Sequence, residues 1–261
     1  MVGKQDLRLA VLIDAENVPH SNIKGIMAEL AKYGTPTIKR IYGDWTKPAS
    51  KGWKNVLLEN AITPIQQYSY TRGKNSSDSA MIIDAMDILY SERVEGFCII
   101  SSDSDFTRLV IRLREAGLKV YGFGERKTPH PFIVACDKFT YIEIINSADK
   151  ESNEKEIKDK PPSLKGGSTP KDTKTGLINI GNDMIKLISS SITDVADEDG
   201  WAFLADVGNL IIKKQPDFDP RNYGFTKLTL LIKAIDQFQI DQRDSGTSNI
   251  KHIYVKNKKH F

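Results

Sequence analysis

The first 145 residues alternate short, β-branched apolar runs with segments of helical periodicity, and this alternation constrains the fold more than any other feature of the chain. Six runs have the character of strands: Leu9–Ile13, Thr37–Tyr42, Pro64–Tyr70, Phe97–Ile100, Lys119–Phe123 and Phe139–Ile145. Helical patterns separate most of them, at Ser21–Tyr33, Ser50–Asn60, Asp78–Tyr90 and Phe106–Ala116. The alternation predicts an α/β fold, a mainly parallel sheet with helices on both faces. Ligands of such sheets bind beyond the carboxyl ends of the strands.

A polar segment divides the chain. Residues 147–176 contain seven Lys, six acidic residues, three Pro and three Gly, with one Ile and one Leu as the large apolar residues. Such a composition buries too little apolar surface to offset the entropy of ordering the chain. We therefore predict an N-terminal domain at 1–146, a flexible linker at 147–176 and a C-terminal domain at 177–258.

The overall composition excludes several classes of protein. The chain of 261 residues has no apolar run approaching the roughly 18 residues of a membrane span, and no signal peptide is recognisable at its start. Two cysteines, Cys98 and Cys136, cannot form a disulfide framework. These features predict a cytoplasmic protein without a membrane partner. The formal net charge of +3 is too small to indicate a polyanionic partner by itself.

Four aspartates stand where strands end and helices begin. Asp14 directly follows the first apolar run, Asp103 and Asp105 follow the fourth, and Asp78 opens a helical pattern after a polar turn. Carboxylates brought together at one edge of a sheet repel each other unless a cation lies between them. Because oxygen ligands favour hard divalent ions, the pattern predicts an Mg²⁺ or Mn²⁺ site. An ion held there would polarise a phosphate and activate water.

Helix capping is the alternative use of these aspartates. Asp78, Asp103 and Asp105 all stand where an N-cap residue is common. Asp14 fits that explanation poorly, because the residues after it are not typical of a helix. Taken as a set, the four residues favour a metal site over capping alone.

Two neighbouring polar residues have open roles. Asn17 lies three residues beyond Asp14 and either orients a bound water or phosphate or forms a turn. Asp84 lies about 120° from Asp78 around the helix, which places it behind the site or on the surface.

Three segments of the N-terminal domain resemble the signatures of NYN domains, which belong to the PIN-like ribonucleases: Val11–Asn17, Lys74–Asp78 with Asp84, and Ser101–Phe106. The resemblance covers residues 8–146. It implies a PIN-like sheet and a metal-dependent ribonuclease whose ligands are Asp14, Asp78, Asp103 and Asp105, with Asn17 beside them and Ser101 and Ser102 supporting them. At Ser102 many relatives have Gly, a difference that still permits the turn.

A basic and aromatic stretch at residues 39–74 is typical of a path for single-stranded RNA, since cations neutralise phosphates and aromatic rings stack on unpaired bases. Its best candidate contacts are Arg72, Lys74, Trp45 and Lys47. Solvated lysines and buried aromatic rings are the alternative. We expect Trp45 to be exposed, and Trp53 and Tyr68 to lie in the core.

The C-terminal domain reads as helices followed by a hairpin, an order typical of a winged helix. Helical patterns at Ile178–Ile188, Trp201–Lys214 and Phe225–Phe238 precede a hairpin near Ile240 and Ile250–Val255. Trp201–Gly208 and Phe218–Phe225 resemble the LOTUS (OST-HTH) domain, over residues 177–258. The resemblance implies binding of RNA, including structured or guanine-rich RNA, or binding of a protein, as in some relatives. Core packing is the expected role of Trp201.

Three functions are compatible with these features. The favoured prediction is an Mg²⁺- or Mn²⁺-dependent ribonuclease that cuts RNA and carries an RNA-binding C-terminal domain. A non-catalytic RNA-binding adaptor is the alternative, and a homodimer is compatible with either. A Toprim-like nuclease acting on DNA ranks last, because it requires Glu where this chain has Asp14.

Overall fold

The computed structural model describes residues 6–68, 76–145, 179–244 and 251–258. The chain forms two compact units, Met1–Lys160 and Pro161–Phe261. The division falls within the predicted linker, but residues 147–176 lie outside the described part of the chain. The predicted domain boundaries and the linker therefore stay predictions.

A six-stranded parallel sheet forms the centre of the first unit. Its strands are β1 (Arg8–Asp14), β2 (Thr35–Gly43), β3 (Thr63–Gln66), β4 (Gly96–Ile100), β5 (Lys119–Gly124) and β6 (Lys138–Tyr141). Their order across the sheet is β3-β2-β1-β4-β5-β6, and every neighbouring pair is parallel. This sheet confirms the predicted α/β, PIN-like fold class.

Helices cover both faces of this sheet. They are α1 (Ile23–Leu30), α2 (Trp53–Asn60), α3 (Ser76–Tyr90), α4 (Thr107–Glu115) and α5 (His130–Ala135). Within the described residues, none of the helices is both long enough and apolar enough to cross a membrane.

Burial on both faces explains why the central strand reads as an unbroken apolar run. Residues Leu9–Ile13 of β1 are fully buried. Ala10 and Leu12 belong to a core that includes residues of α3, α4 and α5. Leu9, Val11 and Ile13 belong to a second core with residues of α1 and α2. The two cores hold the sheet between layers of helices.

The strand order reverses direction between β1 and β4. From β1 the chain moves outward to β2 and β3, and it then returns to the other side of β1 to form β4, β5 and β6. Crossover connections leave in opposite directions at this point, which opens a crevice at the carboxyl ends of β1 and β4. Asp14 and Asp103 lie at these two strand ends.

Two predicted strands end earlier than expected. β3 ends at Gln66, and β6 ends at Tyr141, after which residues 142–145 are helical. Ile142, Ile144 and Ile145 are buried all the same. Burial produces an apolar run in either conformation, so the pattern alone did not distinguish strand from helix. The six-residue α5 was not predicted, because it is too short to show a helical period.

The second unit is a small helical domain with a three-stranded antiparallel sheet. Its elements are α6 (Asn182–Val195), β7 (Ala202–Phe203), α7 (Leu204–Lys214), α8 (Leu228–Lys233), β8 (Phe238–Asp244) and β9 (Lys251–Asn257). The sheet order is β7-β9-β8. The helical pattern predicted from Trp201 begins instead with β7, which pairs with β9. Trp201 does not lie in the core as expected, since its ring is partly exposed and faces Arg243 at 5.2 Å.

Candidate metal centre

Three aspartates converge at the edge of the sheet where β1 and β4 end. Carboxylate oxygens of Asp78, Asp103 and Asp105 lie within 4.8 Å of one another, and we refer to these residues as the acidic cluster. Asp78 is in the first turn of α3, and the other two follow β4. The fold therefore brings together side chains from two separate parts of the chain, and three of the four predicted ligands belong to the cluster.

Asp14 stands beside the acidic cluster as the last residue of β1. Its side chain is 2% exposed. One carboxylate oxygen accepts a hydrogen bond from the Glu16 amide at 3.0 Å. The other accepts from Asn17 Nδ2 at 2.6 Å and from Ser101 Oγ at 2.8 Å. Burial raises the pKa of Asp14, and these hydrogen bonds act in the opposite direction. Asp14 is thus a fixed, desolvated carboxylate.

Asp78 is the aspartate of the site whose pKa is shifted furthest. Its side chain is 8% exposed, and its pKa is raised to about 6. Burial is the largest cause, followed by the charges of Asp14, Asp103 and Asp105. The effect of Asp14 places it in the same electrostatic group, although its oxygens lie outside the 4.8 Å set. The four predicted ligands therefore share one region of negative potential.

The structure shows a helix-capping hydrogen bond for one of these aspartates. Asp103 is the N-cap of the 3₁₀ turn Ser104–Phe106, and its Oδ1 accepts from the Asp105 amide at 2.9 Å. Asp105 lies inside that turn, and Asp78 lies two residues beyond the start of α3. Because a carboxylate has two oxygens, the cap made by Asp103 is compatible with a ligand role.

Two serines connect the strand ends around the site. Ser101 Oγ donates to Asp14 and accepts from the Asp103 amide at 3.1 Å, so it links β1 to the loop after β4. Ser102 Oγ accepts from the Glu125 amide at 2.8 Å, which ties the same loop to the end of β5. Both serines are buried. The arrangement gives each serine a supporting position next to the aspartates.

Asp84 belongs to a separate network between α3 and β2. Its carboxylate accepts hydrogen bonds from the Arg40 guanidinium and the Tyr42 hydroxyl. Burial and the neighbouring Asp84 carboxylate raise the pKa of Tyr42. The sequence analysis did not identify Arg40 or Tyr42 as partners. A signal was present, because residues two apart in a strand share a face and Asp84 faces the sheet from α3.

Removing the Asp84 carboxylate should destabilise the first unit. We expect Asp84→Ala to lower the free energy of unfolding by about 1–2 kcal/mol, because it leaves the Arg40 guanidinium and the Tyr42 hydroxyl without their acceptor. The side chain of Arg40 is 35% exposed, which limits the loss through solvent screening. Urea unfolding measures the change, with Asp87→Ala at an exposed position of the same helix as control. Equal stability of the two variants would contradict the prediction.

The candidate RNA contacts differ in what the structure shows of them. Trp45 is half-buried and not exposed as expected, because its Nε1 donates to the Ile65 carbonyl at 3.0 Å and its ring packs on the core. Lys47 is exposed and pairs with Glu16 at 3.1 Å. Arg72 and Lys74 lie outside the described residues.

The two aromatic rings expected in the core have different outcomes. Trp53 is 5% exposed, as predicted. Tyr68 is 54% exposed, and the core prediction for it was wrong. Tyr68 follows the early end of β3, so it lacks the alternating strand environment on which that prediction depended.

The donor set of the site fits a hard divalent cation. All the converging side-chain ligands are carboxylate oxygens, the type that Mg²⁺ and Mn²⁺ prefer. Burial raises the pKa of Asp78 most, and the charges of the neighbouring aspartates raise it further. A positive ion among them would remove the repulsion between these charges.

Comparison with protein families identifies both units. A family model of the NYN domain matches residues 8–143. The chain belongs to the NYN family. A model of the OST-HTH/LOTUS domain matches residues 181–250. Both matches confirm the resemblances found in the sequence. NYN domains are PIN-like nucleases and OST-HTH domains bind RNA, so the chain joins a ribonuclease-like NYN domain to an RNA-binding type of domain.

Three solved structures are similar to parts of this chain. The crystal structure of a protein of unknown function from Vibrio parahaemolyticus is 21% identical over 54% of this chain and 96% of that one, with a TM-score of 0.45. The solution structure of an uncharacterized protein from Nitrosomonas europaea is 31% identical over 38% of this chain and 95% of that one, with a TM-score of 0.30. The solution structure of a protein from Chromobacterium violaceum is 30% identical over 30% of this chain and 82% of that one, with a TM-score of 0.25. A search of curated proteins found no significant match.

Proposed function

We propose that this NYN protein is a divalent-metal-dependent ribonuclease that cleaves RNA phosphodiester bonds. The observation that carries the proposal is the convergence of Asp78, Asp103 and Asp105 within 4.8 Å, beside the buried Asp14, at the crevice of a PIN-like sheet. Membership of a nuclease family and the attached OST-HTH domain support RNA as the substrate.

The residues of the site have two roles in this proposal. Some would bind the ion, and others position the ligands through hydrogen bonds. Mg²⁺ or Mn²⁺ would be held by Asp14, Asp78, Asp103 and Asp105. When bound, such an ion polarises a phosphate and lowers the pKa of water. Ser101 and Asn17 keep the Asp14 carboxylate in one orientation through hydrogen bonds. This preorganisation places negative oxygens without a change of conformation when the substrate arrives.

RNA reaches the site as a single strand in this proposal. We call the edge of the sheet that carries Asp14 and the acidic cluster the acidic edge. The exposed Lys47 lies near it through its ion pair with Glu16, where it can meet a phosphate. A second contact comes from the OST-HTH domain, whose proposed ligand is structured or guanine-rich RNA. Joining two RNA-binding domains in one chain raises the effective concentration of the substrate at the NYN site.

A non-catalytic RNA-binding adaptor is the second candidate function. It is favoured by one observation, namely that Asp14 already accepts three hydrogen bonds and is satisfied without an ion. In that case the acidic edge would have only a structural role.

Cleavage in the presence and absence of divalent ions tests the proposal. We expect the full chain to cut single-stranded RNA in Mn²⁺ or Mg²⁺ and to lose that activity in excess chelator, because the repelling carboxylates cannot position phosphate without a cation. RNA labelled at either end, a duplex and single-stranded DNA of the same sequence are assayed together. Retention of RNA without cleavage in every divalent ion would contradict the ribonuclease and support the adaptor.

A further inference from the structure

A cleft of about 270 Å³ adjoins the acidic edge on the side of β2. Its apolar lining comes from Ala15, Gly43, Trp45 and Trp53, and its charged lining consists of Glu16, Asp44 and Lys47. The volume lies just below the range of about 300–1,000 Å³ typical of sites for small molecules. The cleft therefore has room for one compact planar group and not for a folded segment of polymer.

The cleft and the acidic edge share the same turn of chain. Ala15 and Glu16 directly follow Asp14, and the Glu16 amide donates to the Asp14 carboxylate. The charge of Glu16 also contributes to the raised pKa of Asp78. Because successive Cα atoms are about 3.8 Å apart, Glu16 lies within about 8 Å of Asp14 along the chain. Glu16, which lines the cleft, is therefore a close neighbour of Asp14.

Trp45 offers a ring whose orientation is fixed before any ligand binds. Its Nε1 donates to the Ile65 carbonyl, and its amide donates to Gln66 Oε1 at 3.0 Å. The ring meets Trp53 edge-on, with centroids 6.4 Å apart and planes at 84°. These contacts remove the entropic cost of ordering the indole, and stacking on a fixed ring is the usual way proteins hold unpaired bases.

Glycine at the end of β2 lets Ala15 pack closely against the strand. A Cβ atom added at Gly43 would lie 2.9 Å from the Ala15 Cβ, so a side chain at this position has no room. Any other residue there would displace Ala15, which forms part of the apolar lining of the cleft. Lys47 and Glu16 are both exposed, with side chains 48% and 50% accessible, and offer a donor and an acceptor beside the apolar surface.

We propose that this cleft holds a single unpaired nucleobase of the RNA, from the nucleotide next to the phosphate at the acidic edge. The inference rests on the proposed function, because it takes RNA as the ligand of that edge. An apolar lining, a fixed indole and a mixed polar rim match one face and the edge of a base. The cleft would set the register of the RNA relative to the aspartates.

Abasic substitution of the RNA tests the inference without altering the protein. A series of single-stranded RNAs carries one abasic ribose at each successive position. Dissociation constants are measured in Ca²⁺ with the full chain, and cleavage rates are measured in Mn²⁺. We expect one position to weaken binding about tenfold, as the loss of one stacked base does, and the other positions near the cut to have smaller effects.

A variant that fills the cleft tests whether the critical RNA position binds beside Ala15. We expect Ala15→Leu to bind intact RNA about as weakly as wild type binds the critical abasic RNA, and to lose the discrimination between the two. Ala31→Leu adds the same atoms at an exposed position after α1 and serves as control. Abasic effects that are uniform along the RNA would overturn the inference even where cleavage is normal.

The two proposals fail in distinguishable ways. If no RNA is cut in any ion, the ribonuclease proposal fails, whereas the abasic binding profile still decides whether the cleft takes a base. Free ribonucleoside monophosphates are added as competitors. Competition at concentrations equal to those of the RNA would overturn the inference, because the cleft would then be a mononucleotide site.

Discussion

Asp103→Asn is expected to lower the rate of metal-dependent RNA cleavage at least about 100-fold and to leave the fold intact. The rate falls because the change removes one negative charge from the set that would hold the ion, and bound metal contributes several kcal/mol to stabilising the transition state. The fold persists because an asparagine Oδ1 can still accept the hydrogen bond that Asp103 takes from the Asp105 amide.

Asp87→Asn is the matched control for this experiment. Asp87 carries the same charge on α3, but it is exposed and lies outside the acidic cluster. Cleavage of a labelled RNA is measured over a range of Mn²⁺ concentrations for both variants, and circular dichroism checks their folding. If Asp103→Asn cuts RNA as fast as Asp87→Asn at every concentration, the aspartates do not form the active site, and the observed activity has another origin.

The position of the aspartates was predictable because it depends on local features. Burial on both faces makes β1 and β4 read as apolar runs, and the end of each run marks the carboxyl edge of a parallel sheet. Asp14 directly follows the first of these runs, and Asp103 follows the second after Ser101 and Ser102. The topology of strand and helix alternation then brings them to one crevice. Local sequence and a general rule of α/β folds were therefore sufficient for this part of the site.

Contacts between distant elements were not predictable in the same way. Asp84 meets Arg40 and Tyr42 across 44 and 42 residues of sequence, and its partners depend on how α3 is rotated against β2. The burial of Trp45 depends likewise on the Ile65 carbonyl of a neighbouring strand. A single sequence records none of these distances. The cleft escaped prediction for the same reason, because its lining comes from two distant stretches of chain, residues 15–16 and 43–53.

The structure also shows why capping and metal binding were hard to separate in the sequence. A carboxylate at the start of a helical turn can satisfy a backbone amide with one oxygen and present the other to the site. Asp103 does the first of these. Ser101 Oγ accepts a hydrogen bond from the Asp103 amide and donates one to the Asp14 carboxylate. The two interpretations therefore describe compatible uses of the same residue. What distinguishes the site is the convergence of several carboxylates, which capping does not require.

Asp78→Asn is expected to stabilise the metal-free protein by about 2 kcal/mol near pH 7. The pKa of Asp78 is about 6 in the native state, against an ordinary value of 3.8. The raised pKa means that ionising Asp78 costs more free energy in the native state than in the unfolded chain. One pKa unit corresponds to ~1.4 kcal/mol of this difference. Part of the gain is offset, because a negative charge in the first turn of a helix contributes about 0.3–1 kcal/mol.

The pH and metal dependence of this effect follow from its sign. A carboxyl with a raised native pKa favours the native state while protonated, so wild-type stability falls as pH rises from about 4 to about 6. The advantage of Asp78→Asn should therefore vanish below about pH 4 and be complete above about pH 7. Added Mn²⁺ should reduce the stability difference between Asp78→Asn and wild type at neutral pH. An ion that binds only the native state stabilises wild type more than the variant, which lacks one of the carboxylates. Calorimetry in chelator and in Mn²⁺, with Asp87→Asn as control, measures both dependences. A constant difference across pH and metal concentration would show that Asp78 does not belong to a repelling, ion-binding set.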